Sequence, residues 1–427
     1  MRWDTVIFEA CKQANEDDVD LKKLTKALKL AGSDWLNENK ILEKGMWSMP
    51  VLRELLKVPN IDVNAIDDYY NQTLLCAACT SGFEIETVKA LLQAPGIDVN
   101  KPNNDTYGHT PLLECLYEDE FDNFRLLLQA DGIDVNKGGN EGWTPLHVAS
   151  DWEDITKLLL RFKEIQINKP SKSGETPLMS AVGFDGPTSV NLKVVHLLLQ
   201  SKDINVNQSR DNGKTALYTA CEGGSVDAVR LLLLHKDINV NQSRDNGKTA
   251  LYTACEWGHV DTVHLLLRHK DINVNHSDND GKTALYIACE KGSLNTVNAL
   301  LNFDPHDDDK YDAASFQTNQ SVDINKGPGE LTPLDIAIKH EHWDIVVRLE
   351  DIPGTKKPSY KHNKGYINAR NKATAHDAKL NMIADNIASK SKTPGAGDLA
   401  TILGRQGHFL PKPVESSGTY MQFVKKE

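Results

Sequence analysis

Residues 203–222 read DINVNQSRDNGKTALYTACE, and the same twenty letters return at 237–256. A self-similar period between about 20 and 50 residues marks stacked repeats rather than separate globular domains. Working outward from this pair, a tetrad of Ile/Val, polar, Val/Ile and Asn ends at Asn64, Asn100, Asn136, Asn168, Asn207, Asn241, Asn275 and Asn325. Seven to ten residues after each Asn comes a second mark, at Thr73, Thr110, Thr144, Thr176, Thr215, Thr249, Thr283 and Thr332. The segments that start there are TLLCAA, TPLLEC, TPLHVA, TPLMSA, TALYTA twice, TALYIA and TPLDIA.

Elementary chemistry explains one such unit. Thr ahead of an apolar run accepts a backbone N–H of the first helical turn, and Pro at the next position lacks an N–H that would be left over there anyway. A helix is therefore expected at each Thr. Small Ala or Cys residues follow where a neighbouring helix must come close, and Gly82, Gly224, Gly258 and Gly292 end the helix. A second helix carries an apolar face, formed by Val229, Leu232 and Leu233 in one copy and by Val263, Leu266 and Leu267 in the next. Neither helix buries its face alone, so the copies must stack to make one core.

TPLHVA at 144–149 reproduces the TPLHxA signature of the ankyrin repeat family, and the other seven openings approximate it. The chain resembles that family over most of its length. The resemblance implies an all-α fold class, a right-handed solenoid of helix-turn-helix units with hairpin-like finger loops between the Asn tetrad and Thr. It also implies a concave face of fingers and inner helices that binds a protein or peptide. Mapped by phase, Ser81, Glu118, Trp152, Phe184, Gly223, Trp257, Lys291 and His340 stand at or near the ends of the inner helices. Trp143 precedes Thr144, and Tyr69, Tyr70 and Tyr107 lie on the first two fingers. Rigid aromatics are enriched at interface hot spots, so Tyr69, Tyr70, Tyr107, Trp143, Trp152, Phe184 and Trp257 are candidate partner contacts, with Lys291. A charged set completes the surface: Arg210, Lys214, Arg244, Lys248 and Lys282 near the fingers, and Glu222, Glu256 and Glu290 in a row. Alternating charge can steer a partner, although a solvated face is its commoner meaning. His147 and His259 sit where the family pattern itself places His, which suits a hydrogen-bonding structural role.

Organisation follows from the phase. Residues 1–64 are expected to be two degenerate N-terminal capping repeats, with Thr5, Ala10 and Cys11 in register and Pro50 to Leu56 as an outer helix. Residues 65–351 hold the eight recognisable repeats, interrupted by insertions at 184–190 and 304–321. Residues 352–427 read as a basic C-terminal cap or small helical module with a flexible end. There Leu380, Ile383 and Ile387 share a helical face, and Leu399, Ile402 and Leu403 suggest a further short helix.

Charge divides in the same way. The net −12 arises from 48 basic and 60 acidic side chains. From 352 onward 13 basic stand against 5 acidic residues, a balance of +8 that leaves −20 on the first 351. An acidic body repels nucleic acid and anionic lipid, while a basic end can attract either or dock on the body. No nucleic-acid partner is expected. No apolar run approaches the roughly 20 residues of a membrane helix, and MRWDTVIFEACKQANEDD turns acidic where a signal peptide would be apolar. A cytoplasmic monomer with no membrane span is the expectation.

The seven cysteines, an odd number, argue against a disulfide framework. Cys76 and Cys79 form a CxxC that invites zinc or redox chemistry, yet Cys11, Cys79, Cys221, Cys255 and Cys289 share one small-residue position of the repeat. Packing accounts for them more simply. DPHDDD at 304–309 lacks the glycine and terminal Glu of a calcium loop. There is no nucleophile elbow, phosphate-binding glycine loop, HExxH or kinase signature. The sequence thus points to a scaffold for protein–protein interaction, with no enzyme activity, cofactor or metal expected. The alternative makes the basic C-terminal segment a small catalytic or lipid-binding module presented by the array. Long divergent arrays with unrelated ends also resemble effectors that intracellular bacteria inject into host cells, which would make a host protein the partner; the polar tail ESSGTYMQFVKKE is similar to some translocation signals.

Overall fold

A computed structural model describes residues 2–12, 20–45, 48–67, 70–80, 83–183, 190–301, 321–356, 365, 367–372 and 374–375. Tyr69, Ser81, Gly82, Phe184, the DPHDDD insertion and the helices expected around Leu380 to Leu403 lie outside the described residues. The chain divides into two compact units, Met1–Ile238 and Asn239–Glu427.

The first unit opens with helices Trp3–Lys12, Leu21–Glu38, Ile41–Gly45 and Met49–Leu55. Five helix pairs follow: Leu74–Ala78 with Ile85–Leu92, Pro111–Tyr117 with Phe121–Leu127, Pro145–Val148 with Glu153–Leu159, Pro177–Val182 with Leu192–Leu199, and Ala216–Glu222 with Val226–Leu233. Inner helix packs on inner helix from pair to pair, and outer helices pack on outer helices along most of the unit. Met49–Leu55 joins the outer row by packing on Ile85–Leu92, as expected for the segment before Asn64. The second unit repeats the arrangement with Ala250–Trp257 and Val260–Leu267, Ala284–Glu290 and Leu294–Leu301, and Pro333–Lys339 and Trp343–Glu350. The architecture is all-α, with isolated bridges such as Ser243 to Thr249 closing the base of a finger.

All eight Thr residues occupy helix N-caps. The Thr249 hydroxyl, for example, accepts the Tyr252 N–H at 3.3 Å. Thr5 differs, because it lies inside Trp3–Lys12 rather than capping it. The inner helices bury most of their small residues, and all seven cysteines are buried in the core.

The structure also supplies the reason for the repeated Asn. Asn100 donates its amide to the Gly132 carbonyl at 2.7 Å and accepts the Asp134 N–H at 2.8 Å. Asn136 does the same with Glu164 and Gln166, and Asn241 with Asp271 and Asn273. Each side chain therefore pairs both a donor and an acceptor of the following repeat's backbone, which only a primary amide can do at that position. The last rung joins Asn325 to Gly354 and Lys356 at 2.9 and 3.0 Å, so residues 352–356 stand where the next repeat's tetrad stands elsewhere. Arg370 then pairs with Asp351 at 2.8 Å.

Fingers are tight turns. Gly247 has φ +81°, and a Cβ there would fall 2.6 Å from the Asn279 backbone nitrogen. Only glycine permits both that conformation and that approach. Adjacent fingers bond directly, Asn279 N–H to Asn246 carbonyl at 3.0 Å and Lys172 N–H to Glu141 carbonyl at 2.8 Å.

Candidate protein-binding surface

Two positions decide what each repeat shows at this surface: the residue just before the capping Thr and the residue seven after it. In three successive repeats these are Lys and Glu, and they close on each other. Lys214 pairs with Glu222, Lys248 with Glu256 at 3.0 Å, and Lys282 with Glu290 at 2.9 Å. Each lysine ammonium also lies over the buried tyrosine of its own inner helix, at 6.0, 4.9 and 5.7 Å from Tyr218, Tyr252 and Tyr286. Such pairs contribute little stability, about 0–1 kcal/mol each, but they occupy the charges that the sequence offered as partner contacts. Arg210 likewise pairs with the buried carboxylate of Glu175. In the second unit Lys248, Glu256, Lys282, Glu290 and Lys291 line a polar groove of about 410 Å³ together with His340.

Repeat two puts His109 and Tyr117 at the same two positions, and there they stack with ring centroids 4.3 Å apart and planes 10° from parallel. Tyr107, at the finger tip, extends the stack on the other side of His109 at 5.5 Å and 28°. Asp105 fixes this tip by accepting the N–H groups of Tyr107 and Gly108 at 3.0 and 2.6 Å. The neighbouring finger braces it, through Asn140 to the Tyr107, Asp105 and Thr106 carbonyls. Beneath the stack, His109 Nδ1 lies 3.2 Å from the buried Glu114 carboxylate, which Gln72 and Asn103 also approach at 3.4 and 3.5 Å. The rings are thus held from below while Tyr107 and Tyr117 remain 63% and 49% exposed. Trp143 is tilted on His147 at 5.6 Å. A groove of about 200 Å³ is lined by the three stacked rings, Leu113, Gly139, Glu141 and Trp143.

The other aromatic candidates separate. Tyr70 is exposed on the first finger and Trp257 is 62% exposed at the end of its inner helix. Trp152 is half-buried, packed edge-on against Phe121 of the preceding repeat at 5.3 Å. Tyr69 and Phe184 lie outside the described residues. Arg244 is half-buried beside its finger, and Lys291 is exposed. His109 and Tyr117 were missed by the sequence reading, although the signal existed: aromatics stand where three later repeats have Lys and Glu.

The sequence profile described as ankyrin repeats (3 copies) matches residues 47–139, 134–208, 188–278 and 271–352, well over half of the 427. The chain belongs to the ankyrin repeat family. Ankyrin repeats generally mediate protein–protein interaction and are generally not enzymatic. Solved ankyrin structures similar to this chain include the ankyrin repeat domain of Bcl-3, described as a unique member of the IkappaB protein family. It shares 25% identity over 53% of this chain and 96% of that one, with a TM-score of 0.46. EF0377, an ankyrin repeat protein, shares 25% identity over 49% of this chain and 100% of that one, with a TM-score of 0.42. No curated protein matches the sequence. Among the described residues no helix of this ankyrin chain is long and apolar enough to cross a membrane.

Proposed function

We propose that this chain is a protein-interaction scaffold that engages its partner on the finger tips and inner-helix ends of repeats two and three. The observation that carries this reading is the stack of Tyr107, His109 and Tyr117, its two tyrosines exposed, lining one groove with Trp143. Large aromatics left exposed in a rigid, braced setting add contact area at low entropic cost on binding. Later repeats close the same two positions with Lys–Glu pairs, so the open aromatic surface is a local property and not a requirement of stacking. Tyr70, exposed on the first finger, is a further contact for a partner of larger footprint.

Affinity capture with the full chain as bait tests the reading. Tyr107→Ala combined with Tyr117→Ala should weaken capture of the partner by about 2 kcal/mol or more, near thirtyfold in affinity, with helicity and unfolding midpoint retained. Capture unchanged by the double substitution would place the interface elsewhere.

A further inference from the structure

Resting on that reading, the geometry points to a guanidinium as the group received by the aromatic groove: we infer that the partner inserts an arginine side chain into the groove lined by Tyr107, His109, Tyr117 and Trp143. Size comes first. Small-molecule sites usually enclose about 300–1,000 Å³, and about 200 Å³ suits a single side chain.

Chemistry then selects the side chain. Four aromatic rings line the groove; aromatic faces carry negative quadrupole density that attracts a cation, and a planar guanidinium stacks on such faces better than a compact ammonium does. Glu141 lines the same groove, exposed and with no ion-pair partner among the described residues. Its carboxylate is free to take an arriving charge. The stretch of sequence that builds most of the groove agrees in sign: between 101 and 143 there are nine acidic and three basic residues, a balance of −6. Two of those three cations are already engaged, Arg125 with Asp122 at 3.1 Å and Lys101 with the Asn64 carbonyl at 2.8 Å. A negative field around an aromatic slot steers a basic partner toward it and disfavours an acidic one.

The test uses the full chain and three peptides, Ac-GSGXGSG-amide with X as arginine, citrulline or norleucine. Citrulline keeps the planar shape without charge, and norleucine keeps only an apolar stem. Binding is followed at the indole N–H resonance of Trp143, assigned through Trp143→Phe. The arginine peptide should bind about tenfold more tightly than either analogue. Tyr107→Ala and Glu141→Gln, both at exposed positions, should each weaken it several-fold, and added salt should weaken it further. Equal binding of citrulline or norleucine would overturn the guanidinium assignment. So would silence of all three peptides in a chain whose captured partner is still lost on Tyr107→Ala, an outcome that leaves the protein-binding surface standing. Retained capture in the Tyr107→Ala, Tyr117→Ala chain is the separate result that removes the surface itself.

Discussion

His147 shows how one side chain ties two repeats together. Its Nδ1 accepts the Thr144 N–H at 3.1 Å, so the proton must sit on Nε2, which donates to the Glu175 carbonyl of the next repeat at 2.9 Å. Both nitrogens are used by the neutral ring, and burial pushes its pKa from 6.5 down to about 4. The unfolded chain therefore takes up a proton between pH 6.5 and 4 that the folded chain refuses. Stability from this residue is complete above 6.5 and drains away as pH falls through that window. Between pH 7 and 4.5, urea unfolding should show the advantage of the native chain over His147→Gln shrinking by about 2.5 kcal/mol. A difference independent of pH would mean that His147 is not held neutral. The sequence already suggested a structural role for this histidine from its place in TPLHVA. The partner carbonyl 28 residues away was not legible, because no local rule connects Thr144 to Glu175.

Among the inner helices, equivalent positions reveal where the stacking is imperfect. The residue four after the capping Thr is Thr219, Thr253 and Ile287 in three successive copies. Thr219 bonds back to the Thr215 carbonyl at 3.0 Å, and Ile287 has nothing to satisfy. Thr253 is fully buried, and its hydroxyl has no hydrogen-bond partner among the described residues. A buried unpaired hydroxyl costs roughly 1–3 kcal/mol, so the isosteric Thr253→Val should raise the unfolding free energy by about 1 kcal/mol and move the urea midpoint upward. A loss of stability instead would show that this hydroxyl is bonded. Helix starts were legible throughout, since Thr and Pro act within one turn. The pairing of Lys248 with Glu256 was not. Their eight-residue separation becomes contact only when the finger base and the two-turn helix set them side by side. The same blindness hid the stack of His109 on Tyr117, which uses that spacing with aromatic side chains.

Across the whole molecule, the period was the most legible feature, because stacking imposes the same residue types at the same phase. The same recurrence left thiols in the core of most of the array, where the sequence suggested small packing residues. Burial raises the Cys11 thiol to about 11 and pushes Cys76, Cys79, Cys255 and Cys289 upward as well. Since the thiolate is the reactive form, a cysteine stays silent toward iodoacetamide until its own repeat opens. Brief labelling at pH 8 in rising urea, read by peptide mass, should mark Cys11 first, since it is 8% exposed and the other six are at 0%. The other six, wholly enclosed, should be marked after it; simultaneous labelling of all seven would mean that the array opens as one block. Residues chosen for their small volume thereby serve as clocks, each timing the opening of the stretch of chain that encloses it, with no foreign probe attached.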